Sequence, residues 1–203
     1  MIKPDFSFEE NCKISPVCGI DEAGRGPWAG PVVASAVILD PLNIPVGLND
    51  SKKLTAKRRE ALFDNISITA LVGVGIASVE EIDAMNILQA TFLAMRRAAE
   101  ALPRRPAYAL IDGNKIPPNL MCNAEAIVKG DGRSVSIAAA SIVAKVTRDR
   151  IMVTLAQQFP GYGWERNAGY GVKAHQEGLN RLGVTPHHRV SFKPIHKMLY
   201  QEN

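Results

Sequence analysis

Apolar positions along this chain follow two rhythms. Short apolar runs at residues 17–20, 31–39, 68–77, 107–111 and 124–128 are rich in Val, Ile, Leu and Ala and read as strands. The first two are joined by a brief Gly/Pro-rich connection, which predicts an antiparallel hairpin. Between and after these runs the period lengthens to that of a helix. The loop at 49–55 opens a polar helix over 56–64, with Thr55 as its cap. Ser78 with Glu81 three residues on forms a capping-box signature, followed by Leu88, Phe92, Met95, Ala99 and Leu102 at helical spacing. Pro103 and Pro106 close that region. A long helix over 134–159 carries Ala138, Ala139, Ala140 and Ala144, small enough to let it lie close against a sheet. One more helix is predicted near 172–182, with an irregular ending after it. A meander of strands followed by strands separated by helices predicts an α/β domain with a mixed sheet. Residues 1–160 are expected to form this domain, and 161–203 an appendage covering one side of it.

Composition changes this picture little. The chain has 203 residues, 46% hydrophobic and 22% charged, which suits one globular domain with a core of normal size. Its 24 basic and 20 acidic residues give +4, enough to permit a polyanionic partner and too little to require one. The three cysteines, Cys12, Cys18 and Cys122, form no CxxC pair, so neither a disulfide framework nor a zinc site is expected. The first residues lack the apolar stretch of a signal peptide, and no run approaches the ~18 apolar residues of a membrane span. The expectation is a soluble cytoplasmic protein.

The chemistry is concentrated in acids at the ends of apolar runs. Asp21 and Glu22 end the first run and lead into Gly24-Arg25-Gly26; Asp112 ends the fourth; Asp131 follows the fifth. Converging on one sheet edge, these carboxylates would repel one another unless cations lay among them. An oxygen-only set favours Mg²⁺ or Mn²⁺ over zinc. Two such ions about 4 Å apart activate a water and stabilise the leaving oxygen in phosphodiester hydrolysis. Asp21 is the natural bridging ligand, with Glu22 and Asp112 on one ion and Asp131 on the other. Taken singly, Asp112-Gly113 and Asp131-Gly132 read more readily as plain turns. Adjacent strand residues also face opposite ways, so the strand is expected to break at Glu22.

The segments GIDEAGRGPWAGPVVASAVIL, DSKKL, LIDGNK, IVKGDGRSVSIAAASIVAKVTRDR and HHRVSFKP together resemble type 2 ribonuclease H, and most closely the bacterial ribonuclease HII family. The resemblance runs in order over nearly the whole chain. It implies an RNase H-like fold with a central mixed sheet, flanking helices and a C-terminal helical part. It implies endonucleolytic cleavage of RNA paired with or joined to DNA, dependent on Mn²⁺ or Mg²⁺ and leaving 5′-phosphate and 3′-hydroxyl ends. The family's four acids fall on Asp21, Glu22, Asp112 and Asp131. Gly24, Arg25 and Gly26 match the turn that meets the 2′-hydroxyl and flanking phosphates at the RNA–DNA junction. Tyr170 matches a tyrosine that stacks on the junction sugar, with Tyr162 as the local alternative. Lys52 and Lys53 match phosphate-holding lysines, and a solvated pair before a helix is the competing reading. The implied partners are RNA–DNA hybrids and DNA containing ribonucleotides; no obligate protein partner is evident, and a monomer is the default. Two other classes stay open: a nuclease of the same superfold with another substrate, which would lack the Gly-Arg-Gly reader, and a non-catalytic nucleic-acid-binding module, which would need no clustered acids.

Overall fold

A computed structural model describes residues 3–200. In chain order the elements are α1 (Ser7–Asn11), β1 (Val17–Ala23), β2 (Val32–Ile38), α2 (Ala56–Thr69), β3 (Leu71–Ala77), α3 (Val79–Met85), α4 (Ile87–Glu100), β4 (Tyr108–Asp112), β5 (Asn123–Ile127), α5 (Val135–Gln158), α6 (Trp164–Asn167), α7 (Lys173–Leu182) and α8 (Lys193–Tyr200). Single 3-10 turns lie at Ser51–Lys53 and Gly130–Gly132.

The five strands form one sheet in the order β3-β2-β1-β4-β5. β1, β2 and β3 pair antiparallel, β1 and β2 through the short Gly/Pro-rich connection and β2 and β3 across α2, while β1, β4 and β5 pair parallel. The parallel part brings the carboxyl ends of β1, β4 and β5 to the same edge. Open α/β sheets bind ligands beyond such ends, and the predicted acids stand there.

Alternation along the strands feeds two apolar layers. Cys18, Ile20, Ala34 and Ala36 face α4, packing with Ala90, Ala94, Met95 and Ala98. On the opposite face Val37 packs with α5 and α2, through Ala138, Ala139, Ala140, Ile142, Leu62 and Ile66. The small residues of α5 do what their size allows. A Cβ added at Gly19 would lie 2.1 Å from the Ser136 carbonyl carbon, so helix and strand nearly touch. A third cluster joins Met152 of α5 to Trp164, Leu179, Ile195 and Ala29, which fastens the C-terminal helices to the connection between β1 and β2.

Both sequence-read caps form. The Thr55 hydroxyl accepts from the Arg58 N–H at 3.3 Å, and Ser78 and Glu81 complete a reciprocal box. Several boundaries differ from expectation. α2 continues to Thr69, so residues 68–70 are not strand; Ile66 anchors the last turn and leaves Ile68 exposed. The helical region after Ser78 is two helices, because Asn86 adopts a left-handed φ of 72° and its side chain caps α4 through Leu88 and Gln89. The ending is not irregular: α8 forms and buries Ile195. None of the described helices is long and apolar enough to cross a membrane.

Candidate active site

β1 does not break at Glu22. It pairs with β2 through Glu22↔Ala34 and Ala23↔Val33. Its parallel ladder to β4 ends earlier, at Ile20↔Ile111, so from Asp21 onward the strand is paired on one side only. This open side resolves the geometric conflict. Asp21 and Glu22 leave opposite faces of the strand, yet both border one cleft of about 580 Å³ at the sheet's edge. The Glu22 N–H donates to Asp21 Oδ1 at 2.7 Å, which turns the Asp21 carboxylate along the strand.

The other two acids come from neighbouring parallel strands. Asp112 is the last residue of β4, and its Oδ1 accepts from the Gly130 N–H at 2.7 Å and the Asp131 N–H at 3.4 Å. Asp131 sits on the turn that ends β5 and lines the cleft. The backbone of one acid therefore positions the side chain of the other.

The electrostatics follow from crowding. Asp21 is 6% exposed, and burial, then Glu22, then Asp112 hold its carboxyl well above the usual range. Glu22 is raised by burial, against the lowering effect of Arg25, whose Nη1 lies 3.4 Å from it. Asp131 is raised by burial, then by Asp112 and Asp50. Lys52 lines the cleft and lowers both Glu22 and Asp131.

The donor set suits a hard divalent cation: carboxylate oxygens, with neither His nor Cys lining the cleft. Among the described residues, no group of three or more His, Cys, Asp and Glu side chains is placed to hold a metal ion. Mg²⁺ needs fewer protein ligands, since it keeps several waters and is bound by one or two carboxylates plus substrate phosphate.

Gly24, Arg25 and Gly26 line the same cleft, directly after the acids. The two candidate tyrosines separate cleanly. Tyr162 is 3% exposed, donates to the Gly183 carbonyl at 2.9 Å and stacks on Trp164, whereas Tyr170 is 48% exposed and lines the cleft. Lys53 does not line it; its Nζ lies 3.8 Å from Asp50 Oδ2. Lys145 borders the cleft paired to Asp149 at 2.7 Å, and Arg150 instead pairs with Glu60 of α2. Sequence reading missed three contributors: Asp50 beside Asp131, Ile87 on the cleft wall, and the burial of Arg148. Asp50 was visible in the DSKKL segment only as a neighbour of the lysines. No sequence signal separated Arg148 from the exposed basic residues around it.

The sequence model for ribonuclease HII matches residues 18–199. The chain belongs to the ribonuclease HII family. It is 63% identical over 205 residues to the ribonuclease HII of Ruegeria pomeroyi, covering 100% of this chain and 88% of that one. Among solved structures it resembles the ribonuclease H2 of Pyrococcus horikoshii, with a TM-score of 0.75 and 29% identity over 90% of this chain and 96% of that one. The fold also matches Bst ribonuclease HIII in complex with Mn²⁺, with a TM-score of 0.72 at 20% identity over 90% of this chain and 68% of that one. The family fold is thus the RNase H-like arrangement of a mixed sheet between helices. All four carboxylates, the glycine-arginine-glycine turn and Tyr170 lie within the matched span.

Proposed function

We propose that this chain hydrolyses the RNA strand of RNA–DNA hybrids and cuts at ribonucleotides embedded in duplex DNA, leaving 5′-phosphate and 3′-hydroxyl ends. Membership of the ribonuclease HII family makes it a ribonuclease H-type hydrolase. The observation that carries the finer reading is the sharing of one cleft by an acid cluster and a glycine-lined turn. Asp21, Glu22 and Asp131 line the same cavity as Gly24, Arg25, Gly26 and Tyr170.

Asp21, Glu22, Asp112 and Asp131 hold the divalent ions. Two Mg²⁺ or Mn²⁺ ions supply, when bound, activation of water and charge neutralisation at the leaving oxygen. The protein's own share is positioning. The repulsion that raises these crowded carboxyls is relieved when cations lie among them. Lys52 offers a positive charge to a phosphate at the cleft, with Lys53 farther out. Only the 2′-hydroxyl tells a ribonucleotide from a deoxyribonucleotide in a duplex. A turn without side chains at Gly24 and Gly26 lets backbone approach that hydroxyl. Tyr170 offers its ring to the sugar. Residues from 161 onward, which carry Tyr170, complete the site begun by residues 1–160.

Asp21→Asn and Asp112→Asn are each expected to reduce hybrid cleavage about a thousandfold or more, while circular dichroism stays that of the parent. Undiminished turnover of Asp21→Asn in Mn²⁺ would remove Asp21 from this role.

A further inference from the structure

Two arginines are buried under the cleft: Arg148 is 1% exposed and Arg189 0%. Among the described residues neither forms an ion pair. A buried guanidinium without a carboxylate is costly to desolvate, and burial draws Arg148 down to about 10 and Arg189 to about 9. Their donors go instead to backbone carbonyls, all but one of them in the loop between β1 and β2. Arg189 donates to Gly24 O at 2.6 Å, Arg25 O at 2.9 Å, Gly30 O at 2.8 Å and Pro31 O at 3.2 Å. Arg148 donates to Pro31 O at 2.9 Å, Ala29 O at 3.0 Å and Ala168 O at 2.8 Å.

The direction of these bonds has a consequence on the other side of the chain. In a trans peptide the carbonyl of one residue and the N–H of the next point opposite ways. Drawing Gly24 O and Arg25 O inward therefore turns the Arg25 and Gly26 N–H groups outward, and no described residue accepts from either. Both residues line the cleft. Arg148 packs directly on the loop: Gly24 has φ +97°, and a Cβ there would lie 1.9 Å from Arg148 Nε, so only glycine fits. Through Ala168, Arg148 also fixes the segment that carries Tyr170, whose ring lies 3.4 Å from where a Gly26 Cβ would be.

We propose that Arg148 and Arg189 are positioning residues for the ribose-reading turn. They draw its carbonyls inward, aim the Arg25 and Gly26 N–H groups into the cleft and set Tyr170 against Gly26. This rests on the reading of the turn as the 2′-hydroxyl reader.

The test is binding in EDTA, where no turnover occurs, of a duplex with one embedded ribonucleotide and of the same duplex in all-DNA form. Wild type is compared with Arg189→Lys and Arg148→Lys, which keep a charge but cannot span several carbonyls. Wild type is expected to prefer the ribonucleotide duplex by about tenfold, the worth of two hydrogen bonds. Both variants should lose most of that preference while holding all-DNA duplex as before. Variants that keep the wild-type preference overturn the proposal. A wild type with no preference rejects the reader itself, and the proposal with it. Should the variants not fold, amide exchange on wild type decides the matter. The Arg25 and Gly26 amides should exchange fast in the free protein and slow only on the ribonucleotide duplex; amides already protected when free would refute the idea.

Discussion

At Asp21 a carboxylate is buried with Glu22, Asp112 and Asp131 around it, and among the described residues it has no ion-pair partner. Its raised pKa fixes the sign of a stability effect. Below about pH 4, near the ordinary Asp value, the carboxyl is protonated folded or unfolded. As pH rises above that, the unfolded chain ionises first, so stability falls until the folded pKa is passed. In EDTA at neutral pH, Asp21→Asn should therefore melt higher than wild type, by about 2–4 °C for each kcal/mol relieved. Added Mn²⁺ should raise wild type and leave the variant nearly unmoved. A variant that melts lower than wild type in EDTA would show that the carboxylate is satisfied as it stands. The same crowding explains why the acids were readable from sequence: each closes an apolar run, and a parallel sheet gathers run ends. Asp50 was not readable in that way, because it ends no strand and reaches Asp131 only through the turn at Ser51–Lys53.

At the scale of elements, β1 and α5 are the pair that holds the site, and their separation is set by Gly19. Gly19→Ala would place a Cβ 2.1 Å from backbone at Ser136, which cannot rotate away. The expected loss is about 1–3 kcal/mol, the usual range for overpacking, read as a lower melting temperature. It should be accompanied by reduced cleavage, because Asp21 lies two residues along the same strand. A Gly19→Ala variant as stable as wild type would show that α5 is free to move. What sequence disclosed here was local chemistry: the hydroxyls of Thr55 and Ser78, the alanines of α5, the acids toward the ends of β1 and β4. What it hid was decided by tertiary contact. Residues 68–70 alternate like a strand, but Ile66, buried on the inner face of α2, keeps the last turn helical. Asn86 breaks a helix-like pattern by capping the next helix with its own side chain. Arg148 is one basic residue among Lys145 and Arg150 until the loop it holds is folded over it.

The whole molecule depends on its C-terminal helices being fastened to that loop, and a buried histidine pair lies at the fastening. His188 Nδ1 accepts from the Thr185 N–H at 2.9 Å, so its Nε2–H donates to His175 Nε2 at 3.0 Å. His175 Nε2 also receives the Trp164 indole N–H at 3.0 Å, which leaves His175 Nδ1–H to donate to the Tyr170 carbonyl at 3.0 Å. The single lone pair of His175 Nε2 is shared by two donors, and a proton added to it or to His188 Nδ1 would face an N–H, so the chain of bonds needs both rings neutral. Burial, and then His175, pull His188 down to about 4, and burial lowers His175 also. The unfolded chain thus takes up protons from about pH 6.5 downward, while the folded chain resists until about 4. The pair's contribution to stability should be flat above about 6.5 and fall progressively through that window as pH drops, opposite in sign to the contribution of Asp21. In melting series from pH 8 to pH 4, the difference in melting temperature between wild type and His188→Gln should shrink toward low pH. A difference that stays constant down to pH 4.5 would contradict the neutral pair.

The assignment as a whole is tested most directly by cleavage mapping on a DNA duplex carrying one ribonucleotide, beside the same duplex without it, in EDTA, Mg²⁺ and Mn²⁺. The expected result is a single cut at the ribonucleotide, only with a divalent ion, with 5′-phosphate and 3′-hydroxyl ends and the all-DNA duplex intact. Equal cutting of both duplexes, or cutting in EDTA, would contradict it.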